Sequence, residues 1–419
     1  MTETGVVVIG AGAAGLAAGL RLAERGVPFV VVEAKGRVGG RAFTDTVSLG
    51  VPFDHGCHWL HSASLNPFRA IADRLGFRYT EGSKFKMRRL LLDGRLADAA
   101  TAEESWGVLE AALDAIHAAG AAGRDVAAAD VMPDPGRWRP LVDHWFGLFA
   151  SQPPEKVSTL DLHRYHDTLE NFPVLDGYGA LVAANAASVP VRLAVRATRV
   201  DWSGTGVVVE TSAGTLRASS AIITLPTNVI AGGGLAFTPA LPAEVGEAFA
   251  ACPCGSAEKV AVLLDRPIDG EPDSGSATVF QPGDPPRPPV ALLANHAGRP
   301  LVVGHIGGDA AAALERAGPA AMVDLVASAL VDAYGSDVRR RIVATVTTGW
   351  TSDPDIRGAY SCALPGKADL RARLAAPLGE RVFFAGEAVS ADHFSTAHGA
   401  HLTGLAAADR AAEIVGGAR

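Results

Sequence analysis

The stretch Gly5-Val6-Val7-Val8-Ile9-Gly10-Ala11-Gly12-Ala13-Ala14-Gly15 constrains this chain more than any other. Four consecutive β-branched residues, Val6 to Ile9, read as a buried parallel strand. The glycines stand in the order G-x-G-x-x-G and open a helix over 13–25, which Gly26 stops. Gly10 permits a tight turn, Gly12 lets backbone amides approach a diphosphate, and Gly15 lets the helix pack close on the strand. The positive end of the helix then meets the phosphates. A second strand, 28–32, ends on Glu33, an acid placed to hold a ribose hydroxyl pair. Glu33 disfavours a 2′-phosphate, because two anions would face each other. The pattern predicts a dinucleotide-binding βαβ unit.

A chain of 419 residues suggests two or three domains. Its net charge of −8, without a basic stripe, argues against nucleic acid and anionic membranes and favours a cationic small molecule. Cys57, Cys252, Cys254 and Cys362 form no C-x-x-C pair, so a reducing cytoplasm suits the chain. The first apolar run is the nucleotide strand itself, which leaves no room for a signal peptide. No stretch reaches the roughly 18–20 apolar residues of a spanning helix.

After Glu33, Gly36-Arg37-Val38-Gly39-Gly40-Arg41 reads as a second phosphate clamp, its arginines meeting phosphate oxygens. His55, His58 and His61 recur at a spacing of three, but Gly56 and Trp59 favour an extended loop over a metal-binding helix, and no metal is expected. Helices are predicted over 66–75, 103–119 and 138–150, so 77–175 reads as mostly helical. Beyond Val191 the chain turns β-rich, with a hairpin of 207–211 and 215–217 around Ala213-Gly214 and a buried strand over 221–226. A mixed region, 248–354, holds a strand over 259–264, a helix over 320–334 and a proline-rich connector over 281–289. The last segment offers a strand over 381–387, a polar loop, and a helix over 398–415 whose start is another anion-stabilising site. A chain that begins and ends on nucleotide-site elements suggests a discontinuous cofactor domain.

These motifs resemble the FAD-dependent amine oxidase family of monoamine oxidases, polyamine oxidases and the lysine-specific histone demethylase. The resemblance rests on the dinucleotide motif with Glu33, on 36–41, on Gly56-Cys57-His58-Trp59-Leu60-His61 and on Gly177-Tyr178-Gly179-Ala180-Leu181. It continues through Lys259, through Trp350 to Arg357-Gly358-Ala359-Tyr360, and through Phe384-Ala385-Gly386-Glu387 to His398-Gly399-Ala400. It implies an α/β fold: a discontinuous Rossmann-type FAD-binding domain (1–76, 176–247 and 355–419) with an inserted α+β substrate-binding domain (77–175 and 248–354). Gly10, Gly12, Ala13, Ala14, Gly15, Glu33, Ala34, Gly40, Arg41, Gly386 and Glu387 would bind FAD, with Ala197 near adenine. Gly56, His58, Trp59, Trp350, Thr396 and Ala397 would complete that site.

The resemblance also implies that Lys259 reaches flavin N5 through a water, although a lysine opening an apolar strand is also an ordinary strand-edge charge. His61 matches the flavin-facing histidine of animal-type polyamine oxidases, and its plainer reading is a hydrogen-bonded loop histidine. Tyr360 would form one wall of an aromatic cage for the substrate nitrogen. Thr396 stands where monoamine oxidases place the second, tyrosine wall, which disfavours a small arylalkylamine. Ala359 replaces their flavin-linked cysteine, which implies non-covalent FAD.

The implied reaction is oxidation of an amine C–N bond, giving an imine and then aldehyde or ketone plus amine, with oxygen going to hydrogen peroxide. Phe172 would line the substrate channel, and Asp161, Asp167, Glu170 and Asp176 are candidates to hold a distal ammonium. The expected partners are a small-molecule amine and oxygen in a cytoplasmic protein, with no nucleic acid or membrane and a homodimer left open. Rival readings are a C–C desaturase, an L-amino acid oxidase, and a flavin-binding interaction protein docking through 77–175.

Overall fold

The computed structural model describes residues 2–81, 89–282 and 287–417. Strand β1 (Thr2–Ile9), helix α1 (Ala13–Glu24) and strand β2 (Phe29–Val32) form the βαβ unit that the glycine pattern predicts. β1 pairs in parallel with β2 and with the strand Gly214–Ile223, which in turn pairs in parallel with Val382–Phe384. Ile9 is level with Val32 and Ile223, and Ile223 with Phe384, so four carboxyl ends share one edge of the sheet. Gly10, Glu33, Thr224 and Ala385 leave the strands on that edge, where open α/β sheets bind ligands.

Eight strands complete this sheet, with Val207–Thr211, Ala197–Asp201 and Ala236–Thr238 on one flank and Val191–Arg192 on the other. The hairpin turns at Ala213-Gly214, but 215–217 and 221–226 are not two strands. Gly214–Ile223 runs unbroken because β1 pairs with it through the weak β-formers Ala218 and Ser220, with Val207–Thr211 on its other side as far as Ala218. The C-terminal helix Ala397–Gly417 crosses α1 closely, since a Cβ at Gly404 would lie 2.1 Å from the Ala14 carbonyl oxygen.

The second sheet orders Ile342–Thr347, Ala257–Leu264, Leu301–Gly307, Arg287–Ala294, Gly275–Gln281, Leu90–Leu92 and Arg95–Leu96. Helix Pro319–Tyr334 seals one face, with Met322, Val326 and Leu330 packed in one core with Val260 and Val302. The Leu90–Leu92 and Arg95–Leu96 hairpin departs from the helical reading of 77–175. Asp93 and Gly94, at φ 49° and 72°, form its two-residue turn, and three leucines are too few for periodicity to classify. Helix Ala99–Ala121 outruns its predicted 103–119 because Asp98 Oδ1 accepts the Thr101 amide at 2.7 Å and alanines extend both ends. Of the proline-rich connector, Arg287–Ala294 takes the end as a strand and 283–286 lie outside the described residues. Among the described residues no helix is long and apolar enough to cross a membrane.

A buried ion pair ties the short helix Thr159–Arg164 to the C-terminal segment. Arg371 Nε and Nη2 donate to the two Asp161 oxygens at 2.8 and 2.7 Å, and Arg371 Nη1 donates to the Ala388 carbonyl at 2.9 Å. Asp161 also accepts the Ala363 amide at 2.8 Å. Asp161→Ala strands a buried guanidinium and is expected to cost about 3–5 kcal/mol, read as an earlier urea midpoint. An unchanged midpoint contradicts this.

Candidate active site

A single cavity of about 1190 Å³ runs from the carboxyl edge of the parallel sheet to the second sheet. Gly10, Gly12, Ala13, Ala14, Glu33, Ala34, Gly40, Arg41 and Ala197 line it beside the strand ends. Gly12 caps α1 with no side chain, and the first turn carries no acid. The N-terminal amides and their dipole therefore meet the cavity without a competing anion. A Cβ at Gly12 would find only the Gly39 carbonyl oxygen, at 3.8 Å, so this surface is shaped for close approach. Gly15 is not in the lining: its Cβ would lie 1.9 Å from the Gly10 carbonyl oxygen, and its bare backbone lets α1 seat on the turn.

Glu33 Oε2 accepts the Ala11 amide at 2.8 Å and Oε1 accepts the Lys35 amide at 2.9 Å, which fixes the acid at the end of β2. In the second clamp the two arginines part company. Arg41 lines the cavity and donates to Glu387 at 3.0 Å and to the Ala359 carbonyl at 2.5 Å. Arg37 instead folds its own loop: Nη1 donates to the Gly40 carbonyl at 2.9 Å, and the guanidinium covers the Phe43 ring at 4.0 Å. Burial opposes ionisation of Glu387, but Arg41 and the Ser361 hydroxyl hold its carboxyl below the usual range. Gly386 and Glu387 both line the cavity, and a Cβ on Gly386 would meet nothing within 4 Å. These residues fit a dinucleotide cofactor: an uncapped helix start, a bare glycine face and an acid at the strand end.

Farther along, Gly56, His58, Trp59, His61, Lys259, Trp350, Tyr360, Thr396 and Ala397 line the same cavity. Lys259 Nζ donates to the Asp54 carbonyl at 2.9 Å and the Gly56 carbonyl at 2.6 Å. Burial pushes its ammonium down to about 8, against the pull of Asp54. As an ammonium it keeps one proton beyond those two bonds, and as a neutral amine it keeps none. The Tyr360 hydroxyl donates to the Leu148 carbonyl, and burial raises the phenol above its ordinary value, so the ring faces the cavity uncharged. The Thr396 hydroxyl is spent on the helix start, donating to the His393 carbonyl at 2.6 Å and accepting the Gly399 amide at 2.9 Å.

Other expectations are redistributed. Phe172 is not in the cavity lining; it stacks on Tyr79 with centroids 6.0 Å apart. Of the four acids only Asp167 lines the cavity. Asp161 holds Arg371, Glu170 accepts the Ser64 amide at 3.1 Å, and Asp176 pairs with Arg78 at 2.6 Å. The three spaced histidines diverge: His55 lies against Phe43 and Phe53, His58 against His296, and His61 against Asn171.

Two features escaped the sequence. Glu258, in the lining, accepts the Trp350 amide at 2.9 Å and the Thr348 hydroxyl, and burial pushes its carboxyl up to about 8. Its adjacency to Lys259 was the one available signal. The second is an arm walled by Trp106, Leu109, Leu113, Trp145, Leu148 and Phe149. Helical periodicity marks Trp106, Leu109 and Leu113 as an inward face but cannot tell a core from a cavity wall.

Fold and cavity together define a flavin-dependent oxidoreductase with amine-oxidase architecture. The chain belongs to the flavin containing amine oxidoreductase family, whose model matches residues 13–412, and it is an enzyme that oxidises amines. It is 30% identical to Polyamine oxidase 4 of Oryza sativa subsp. japonica, over 96% of this chain and 88% of that protein. It is 28% identical to Lysine-specific histone demethylase 1 homolog 1 of the same plant, over 99% of this chain and 52% of that protein. A solved putrescine oxidase bound to putrescine has the same fold, with a TM-score of 0.80 at 20% identity over 97% of this chain and 98% of that one.

Gly12→Ala separates folding from cofactor binding. Its Cβ would sit in ordinary van der Waals contact, 3.8 Å from the Gly39 carbonyl oxygen, so the change in stability stays within about 0.5 kcal/mol, while the diphosphate approach is blocked. The variant is expected to purify colourless with a near wild-type thermal midpoint. A fully yellow variant counts against the cradle.

Proposed function

We propose that this enzyme binds FAD non-covalently and oxidises a primary or secondary amine, polyamines included, with oxygen as acceptor and hydrogen peroxide as product. The observation that carries this reading is the continuity of one cavity from the glycine cradle to Lys259 and Tyr360. Arg41, Glu387 and the starts of the two helices would hold the cofactor, with Glu33 at its ribose and Ala197 near its adenine. Residue 359 is alanine, which supports non-covalent binding. The bound flavin supplies the acceptor for the electron pair and hydrogen that leave the substrate's α-carbon.

Both sheets support a division into a cofactor unit (1–76, 176–247 and 355–419) and a substrate unit (77–175 and 248–354). Every strand of the first sheet falls in the former set of segments and every strand of the second in the latter. The cavity lining carries the acids Glu110 and Asp167. That polarity favours a cationic substrate over the carboxylate of an amino acid. Two plant relatives bear the name polyamine oxidase, in keeping with an amine whose second cationic centre lies along the aromatic arm. Four free cysteines are in keeping with a cytoplasmic location.

Within the site, Tyr360 and the arm orient the amine and exclude water, raising the effective concentration of the reacting carbon. Lys259, while charged, stabilises the negative charge that grows on oxygen during its reduction.

A screen of mono-, di- and polyamines and amino acids for peroxide release tests the reading. Release with a di- or polyamine is expected, and a yellow protein that no amine bleaches overturns it. Lys259→Met is expected to slow reoxidation about 10²-fold. Because its ordinary value is lowered to about 8, Lys259 loses its charge as pH rises through 8. Wild-type reoxidation, followed by stopped flow, should therefore fall above that pH, and Lys259→Met should flatten the profile. A wild-type rate that climbs through pH 8 contradicts the role of the charge.

A further inference from the structure

Strand Leu301–Gly307 runs inside the second sheet, between Ala257–Leu264 and Arg287–Ala294. Its side chains alternate between the two faces. Val302 and Ile306 enter the core under helix Pro319–Tyr334. Leu301 and Val303 point the other way, into an apolar cluster with Ala261, Leu293 and Phe53. The next position on that face is His305, and there the packed cluster gives way to the cavity, which His305 lines. An apolar residue would continue the cluster, but a half-buried imidazole stands in its place.

Strand register fixes the neighbours of this ring. Lys259 stands directly opposite on one side and Ala291 on the other. Residues directly opposite in a ladder share a face, so His305 and Lys259 share one stretch of cavity wall. His305 Nδ1 lies 3.4 Å from the Ala291 carbonyl oxygen. A carbonyl only accepts, so the ring proton sits on Nδ1 and Nε2 is a bare acceptor. Nε2 makes no hydrogen bond to the described residues and is open to the cavity. Burial holds the ring well below its ordinary value, and Lys259, His58 and His296 act in the same direction against the pull of the Ala291 carbonyl. The imidazole is therefore uncharged at neutral pH.

We propose that His305 is a specificity-determining residue whose Nε2 accepts an N–H of the substrate amine. The proposal rests on the amine-oxidase reading above and deepens it by naming the substrate class: amines that keep an N–H when uncharged, primary and secondary rather than tertiary. The uncharged form is the one that reacts, because the nitrogen lone pair must be free to build the C=N bond as hydrogen leaves the α-carbon. A tertiary amine in that form has no N–H and turns an alkyl group towards Nε2. Lys259, the other polar side chain of the pair, only donates while charged, and two of its protons are already on the Asp54 and Gly56 carbonyls. The acceptor on this stretch of wall is His305.

Anaerobic stopped-flow reduction of the flavin in the holoenzyme tests this with two probes: putrescine carrying one methyl on each nitrogen, and putrescine carrying two on each. The quantity read is the reduction rate divided by the apparent dissociation constant, and the wild type is expected to favour the singly methylated probe. His305→Leu continues the apolar face of Val303 and Leu293, so it should fold with an unchanged thermal midpoint. It should lower the value for the singly methylated probe about 10-fold and leave the doubly methylated one unchanged, which collapses the preference. His305→Gln keeps an acceptor and should restore most of it. A ring that only fills space would, when replaced, change both probes alike. An equal loss with both probes in His305→Leu therefore overturns the proposal, and so does an unchanged preference. A wild-type flavin that neither probe bleaches sinks the amine-oxidase reading, and the proposal with it.

Discussion

The seating of helix α1 on the turn after β1 is the contact on which the rest of the molecule depends. A Cβ at Gly15 would lie 1.9 Å from the Gly10 carbonyl oxygen, a separation that no side chain can accept. With hydrogen there instead, the helix start reaches the edge where four parallel strands end, and its dipole opens onto the cavity. The C-terminal helix is fitted to the same place by a second bare backbone, Gly404 against Ala14. Two helix starts from opposite ends of the chain thus line one cavity, and neither could reach it if the crossings were a methyl group wider.

Buried charge keeps the distant segments in register around that cavity. Arg41 and Glu387, 346 residues apart, bond at 3.0 Å. Arg371 and Asp161 close a second such contact between the helical segment and the C-terminal one. A buried pair of this kind adds little net stability compared with an apolar pair of the same size, but an unpaired member is costly. Arrangements that separate the partners are therefore penalised, and the discontinuous segments have one favourable way to assemble. Lys259 extends the same logic to chemistry. Two backbone carbonyls hold it while burial weakens its grip on its proton, so a group that would be an inert surface charge elsewhere titrates near working pH.

Local pattern carried some parts of this description and missed others for identifiable reasons. The βαβ unit, the terminal acid and the late strand-helix pair were legible because turn geometry and phosphate approach demand particular residues at particular spacings. The Leu90–Leu92 strand was not, since three leucines have no period. Phe172 was misplaced and the orientation of the acids around it was left open, because proximity in sequence to a channel motif says nothing about which way a side chain turns. Tyr79, Arg78, Ser64 and Arg371 decided those four outcomes, and all are partners supplied by folding.

The sequence by itself determined the strand–glycine–helix turn with an acid at the end of the second strand, and which family of catalysts the chain resembles. Those conclusions need only residue types at short range, where backbone sterics and helix periodicity act. Only the tertiary structure decided that Trp106 and Leu113 wall a cavity as well as packing on a core, that Arg37 serves its own loop while Arg41 serves Glu387, and that Asn171 meets His61. Each of those depends on burial and strand register between segments far apart in the chain, and no local pattern of residues encodes which distant group will stand at hydrogen-bonding distance.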